Sequence, residues 1–73
     1  MEYSDMAYFY VNDNPQSTGE HEVHQTGCVW LAKVKSKTGL GQHQSCHEAL
    51  KAAAHIYKNV DGCATCSPDC HHR

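Results

Sequence analysis

The sequence predicts an α+β fold: a small antiparallel sheet of two to three strands, one helix packed on it, and a zinc staple. Three observations carry this reading. The run Ala7-Tyr8-Phe9-Tyr10-Val11 is aromatic and β-branched, which is strand chemistry. A capped, alanine-rich segment from Cys46 to Lys58 repeats apolar residues at helical spacing. Five cysteines and seven histidines occur in only 73 residues. A chain this short buries about 60% of the surface its unfolded form exposes, so domains of this size often need a cross-link or a metal.

Taken in order, the first strand ends at Asn12-Asp13-Asn14-Pro15, which has turn chemistry. Residues 13–22 are polar and read as an exposed loop, with Val23 breaking the polarity. Cys28 to Lys35 reads as a second strand, with Val29, Leu31 and Lys33 on one face and Trp30, Ala32 and Val34 on the other. Ser36-Lys37-Thr38-Gly39 supplies a hairpin turn, and Leu40 to Gln44 a short return strand weakened by Gly41. Ser45 and Glu48 form a capping box for a helix over Cys46 to Lys58. Its apolar stripe is Cys46, Ala49, Leu50, Ala53, Ile56 and Tyr57. Asn59 to Gly62 turns the chain into the cysteine cluster, and Pro68 starts a short helical turn carrying Cys70 and His71. With no linker or repeat, residues 1–73 read as a single small metal-binding domain.

The metal expectation rests on two ligand pairs. Cys63 and Cys66 have the Cys-x2-Cys spacing that brings two thiolates to one tetrahedral ion. His24 and Cys28 form a second pair, with Gly27 letting the backbone curl between them. The expectation is that His24, Cys28, Cys63 and Cys66 meet around one Zn2+ as a structural site. Three thiolates leave such a site with net charge −1, for backbone amides or a lysine to offset. Alternatives stay open. The cysteines can instead be disulfide-bonded, Cys70 can replace His24, or the Cys63-to-His71 cluster can hold metal by itself. Cys46 lies on the apolar stripe and reads first as a small core hydrophobe. A Cys46–Cys70 disulfide under oxidising conditions is a side hypothesis, because these two remain once the zinc set is assigned. His21, His43, His47, His55 and His72 receive no role.

Composition narrows the function. A net charge of −2 with neutral histidines argues against binding driven by phosphate contacts. Lys33, Lys35 and Lys37 read as the wet side of a strand. The acidic start Met1-Glu2-Tyr3-Ser4-Asp5 does not read as a secretory signal, and no stretch approaches the roughly 20 apolar residues of a membrane span. These features lead us to expect a cytoplasmic protein without membrane contact, in a compartment where cysteines more often hold metal than each other. No nucleophile, base and orienting group are patterned together, so no enzyme activity is expected.

Tyr10-Val11-Asn12, Ser17, His24-x3-Cys28, Glu48-Ala49-Leu50 and Gly62-Cys63-x2-Cys66-Ser67-Pro68 resemble in order the zinc-binding N-terminal domain of the Ada DNA-repair protein and its short bacterial relatives. The chain is also similar to small bacterial proteins with His-x3-Cys and Cys-x2-Cys ends. The resemblance covers roughly residues 8–68. It implies zinc on His24, Cys28, Cys63 and Cys66 and an α+β fold. The Ada domain itself uses four cysteines, one of which accepts a methyl group from DNA. Here the first ligand is a histidine and the chain is slightly acidic, so alkyl transfer is not carried over. The expected role is therefore a structural zinc module that contacts another protein. A nucleic-acid-associated Ada-like module and a disulfide-stapled exported domain are the alternatives.

Overall fold

In a computed structural model, which describes residues 6–72, one helix packs on a mixed sheet. The elements are β1 (Ala7–Asn12), β2 (His21–Gln25), a 3-10 turn (Leu31–Lys33), β3 (Lys37–His43), α1 (Cys46–Ala54), β4 (Val60–Gly62) and a second 3-10 turn (Pro68–Cys70). Met1 to Asp5, read above as an acidic start, lie outside the described residues.

The sheet runs β3-β1-β2-β4. β1 is antiparallel to both β2 and β3, and β4 runs parallel to β2. Four strands replace the expected two to three, and one pair is parallel. The first strand behaves as expected. Phe9 and Val11 point into the core and alternate with Tyr8 and Tyr10 on the other face. Val23 of β2 pairs with Val11 and joins Phe9, Ala49 and Ala53 in a small core under the helix.

Three elements differ from the sequence reading. First, residues 21–25 are a strand, not the end of a loop. His21-Glu22-Val23-His24-Gln25 lacks an apolar alternation because its outward face meets other side chains rather than water: His24 is buried and Glu22 half-buried. Second, Cys28 to Lys35 is not a strand. The chain coils there, with Cys28 N–H donating to Gln25 O and Leu31 N–H to Cys28 O, and Val29 and Trp30 stay exposed. Both edges of β1 are already taken by β2 and β3, so this alternating segment finds no partner. Third, the helix ends at Ala54 rather than Lys58. Tyr57 leaves the helical path to stack on His21, ring centroids 3.8 Å apart, and its hydroxyl donates to Asp13 Oδ1. Ile56 is thereby left half-exposed, off the buried stripe. The freed residues Val60–Gly62 pair with β2, where a turn was expected.

Half of the capping box forms: Glu48 N–H donates to Ser45 Oγ, while the Glu48 carboxylate accepts from the N–H of Gln44, one residue before the N-cap, instead of from Ser45. The hairpin turn at 36–39 is absent, because β3 already begins at Lys37. Instead Asp13 ties this region down, accepting from Ser36 Oγ and Thr38 Oγ1 as well as Tyr57. These three hydrogen bonds hold its carboxyl below the usual range.

Candidate metal centre

Val23 and His24 are neighbours on β2, so their side chains leave opposite faces of the sheet. Val23 goes to the helix side, and His24 goes to the other. After Gln25 the chain reverses at Gly27, whose φ of +90° is a conformation that L side chains rarely adopt. This reversal carries Cys28 back over His24. On the next strand, Gly62 sits against the C-terminal turn. A Cβ there would lie 2.7 Å from Cys70 Cβ and 2.8 Å from Ser67 O, so only glycine lets the two segments approach. Cys63 follows immediately, its N–H donating to Val23 O, and Ser67 N–H closes the Cys63–Ser67 turn on Cys63 O. The parallel β2/β4 pairing thus sets the Cys-x2-Cys turn beside His24 and Cys28.

The four sequence-predicted ligands do come together. His24 Nδ1 lies 3.9 Å from both Cys28 Sγ and Cys66 Sγ, and Cys28 Sγ lies 3.9 Å from Cys63 Sγ. All four donor atoms fall within 4.8 Å of one another, so the group can hold a metal ion. His24 and Cys63 are buried, and Cys28 and Cys66 are half-buried. Trp30 Nε1–H donates to Thr65 Oγ1, tying the loop after Cys28 to the loop that carries Cys63 and Cys66.

The surroundings treat the sulfurs unequally. Gln25 N–H points at Cys66 Sγ at 3.3 Å. Burial opposes ionisation of Cys28, but hydrogen bonds from Cys66, the Trp30 amide, Cys63 and the Leu31 amide outweigh it and hold the thiol below its ordinary value. Cys66 goes the other way: burial and the hydrogen bond with Cys28 push it up to about 12. Of these two thiols, Cys28 therefore ionises first. Burial also lowers His24, which keeps its imidazole neutral and free to donate a lone pair. With Nδ1 facing the sulfurs, Nε2 faces outward, 3.6 Å from Glu22 Oε1. A carboxylate behind a ligating imidazole fixes its orientation and raises its basicity. Glu22 lies two residues before His24 on the same strand face. Reading 21–25 as a strand would have revealed it.

The remaining candidates sort differently. Cys70 does not replace His24. It is buried and disulfide-bonded to Cys46, with Cα atoms 6.2 Å apart. The side hypothesis about this pair is what the structure shows, and Cys46 also packs against the core as its place on the apolar stripe implied. His71 Nδ1 lies 2.9 Å from Gly62 O and 3.2 Å from buried Asp61, so it anchors the tail to β4. His21 stacks on Tyr57, and His43 Nε2 meets Leu40 O. His47 joins Cys46 and Cys70 in a second group of ligand atoms. Its adjacency to Cys46 was the available signal.

No family model, curated protein or solved structure matches this chain. The Ada-like resemblance therefore stands on its residue pattern.

Proposed function

We propose that this chain is a zinc-binding module in which the metal is structural and the surface around it contacts another protein. The supporting observation is the donor set itself: one imidazole nitrogen and three thiol sulfurs, converging from three separate segments. Tetrahedral zinc with Zn–S near 2.3 Å and Zn–N near 2.0–2.1 Å places its sulfurs about 3.8 Å apart and sulfur and nitrogen about 3.6 Å apart. The three 3.9 Å separations are close to these values, and the whole set lies within 4.8 Å. Four protein ligands close the coordination sphere, as in structural rather than catalytic zinc sites. The apolar core needs such help: its buried residues are two alanines, two valines and one phenylalanine.

The partner reading rests on Val29 and Trp30, exposed by 65% and 48% on the loop that covers the site. Aromatic anchors of this kind are enriched at protein interfaces. Among the described residues no helix is long and apolar enough to cross a membrane. Free Cys28, Cys63 and Cys66 suit a reducing compartment such as the cytoplasm. The Cys46–Cys70 bond favours a second reading, an exported domain in an oxidising compartment. Metal analysis of protein purified without added zinc tests the main proposal. About one equivalent per chain is expected, with loss of folded structure by circular dichroism when a chelator removes it. Metal-free protein that stays folded removes the structural role.

A further inference from the structure

Cys46 is the first residue of α1, directly after the N-cap Ser45, and Cys70 ends the second 3-10 turn. Their sulfurs are bonded, and the His47 imidazole lies within 4.8 Å of both. The two ends of the bond differ: Cys70 is wholly buried, whereas Cys46 is half-buried. Cys46 and His47 line an open hollow of about 380 Å³ with Met6, Gln44 and Ser67. Ser67 is 2% exposed, and its hydroxyl has no hydrogen-bond partner.

We propose that Cys46, His47 and Cys70 form a second zinc site when the disulfide is reduced, so that bond and metal are alternative fastenings of the C-terminal turn to the helix. A low-molecular-weight thiol, RSH, supplies the electrons. Its thiolate attacks the sulfur of Cys46, the less buried residue of the two, and expels the Cys70 thiolate. A second RSH then releases Cys46 as RSSR forms, leaving two protein thiols. Zinc binding displaces two protons from those thiols. The position at the helix N-terminus favours the Cys46 thiolate. Two thiolates and a neutral imidazole leave the ion uncharged, with a fourth position open toward the hollow. The sulfurs must part to about 3.8 Å to share a tetrahedral ion, a span that Cα atoms 6.2 Å apart accommodate. Ser67, which lines this hollow, has a buried hydroxyl without a partner that can donate to a bound water or thiolate. The site shares no ligand with the one at His24, although Cys66 also borders the hollow, so its failure leaves that reading intact.

The test is zinc stoichiometry of the full chain, measured with and without a phosphine reductant, after gel filtration under argon. The oxidised protein should retain about one equivalent and the reduced protein about two. Reduced Cys46→Ser should return to about one equivalent, while His47→Ala, which leaves both sulfurs in place, should lose the second zinc at lower chelator concentration than the reduced parent. In the cadmium-loaded protein, thiolate charge-transfer absorption should rise on reduction and fall back in Cys46→Ser. A reduced protein that holds no more zinc than the oxidised protein would overturn the proposal. So would a second zinc that survives in Cys46→Ser, since it would then sit elsewhere.

Discussion

Removing the Cys46–Cys70 cross-link should cost this chain a large part of its stability, and the size of the loss follows from the loop it closes. The two cysteines are 24 positions apart. Closing a loop of about 25 residues removes roughly 12 cal/mol/K of chain entropy from the unfolded state, or about 3.5 kcal/mol at 25 °C. Domains of this class are stable by about 5–15 kcal/mol in total. The suitable variant is Cys46→Ala/Cys70→Ala, which deletes both sulfurs together without placing a hydroxyl in the wholly buried position of Cys70. It also abolishes the proposed second zinc site, so no metal replaces the bond. The assay is urea unfolding at saturating zinc without reductant, followed by circular dichroism. With a slope of about 1 kcal/mol/M for so small a protein, the midpoint should fall by about 3.5 M. A midpoint within about 0.5 M of the parent would refute the reasoning, because the bond would then restrain nothing that the fold and the proposed first zinc do not already restrain.

Three further outcomes are expected. Gly62→Ala forces a Cβ to within 2.7 Å of Cys70 Cβ and 2.8 Å of the Ser67 carbonyl; overpacking of this kind costs about 1–3 kcal/mol, and an unchanged melting temperature would show that the turn can give way. Glu22→Gln should weaken zinc about 10- to 100-fold in a chelator competition, with the fold retained; unaltered affinity would mean that the 3.6 Å approach to His24 does not support the ligand. Acid should strip the metal. Zinc takes the thiolate form, and Cys66 is pushed up to about 12 in the metal-free site, so binding must displace its proton and affinity must fall as pH falls. His24 adds in the same direction: burial holds it below 6.5, so the unfolded chain takes up the proton first and the folded form loses stability as pH drops through that value. Calorimetry in buffers of different ionisation enthalpy reads the released protons, and binding without proton release would contradict the thiolate assignment.

Much of the site was legible in the residues themselves. The spacing of Cys63 and Cys66, and of His24 and Cys28 around Gly27, reflects ligand geometry that local backbone enforces. The capping box at Ser45 and the turn at Pro68 are similarly local. The strand register was harder to read. His21 to Gln25 forms a strand whose outward residues face a ligand cluster and a carboxylate, so the usual alternation of apolar and polar residues is absent. Val29 to Val34 has that alternation, but β1, the strand it was expected to join, already has β2 and β3 on its two edges. The end of the helix depended on Tyr57 finding Asp13 and His21, contacts that span 44 and 36 positions. The parallel pairing of Val60 to Gly62 with β2 is a tertiary event, and no turn residue announces it. Cys46 and Cys70 were legible only by elimination, because helix and tail meet through that same pairing.

In the proposed function, one ion held by an imidazole and three sulfurs joins β2 to the Cys63–Cys66 turn. Zinc K-edge X-ray absorption of the oxidised full chain loaded with one equivalent addresses this directly. The predicted first shell is about three sulfurs near 2.3 Å and about one nitrogen near 2.0–2.1 Å, with the nitrogen lost and affinity lowered in His24→Ala. A shell of nitrogen and oxygen alone, or a spectrum unchanged by His24→Ala, would contradict it.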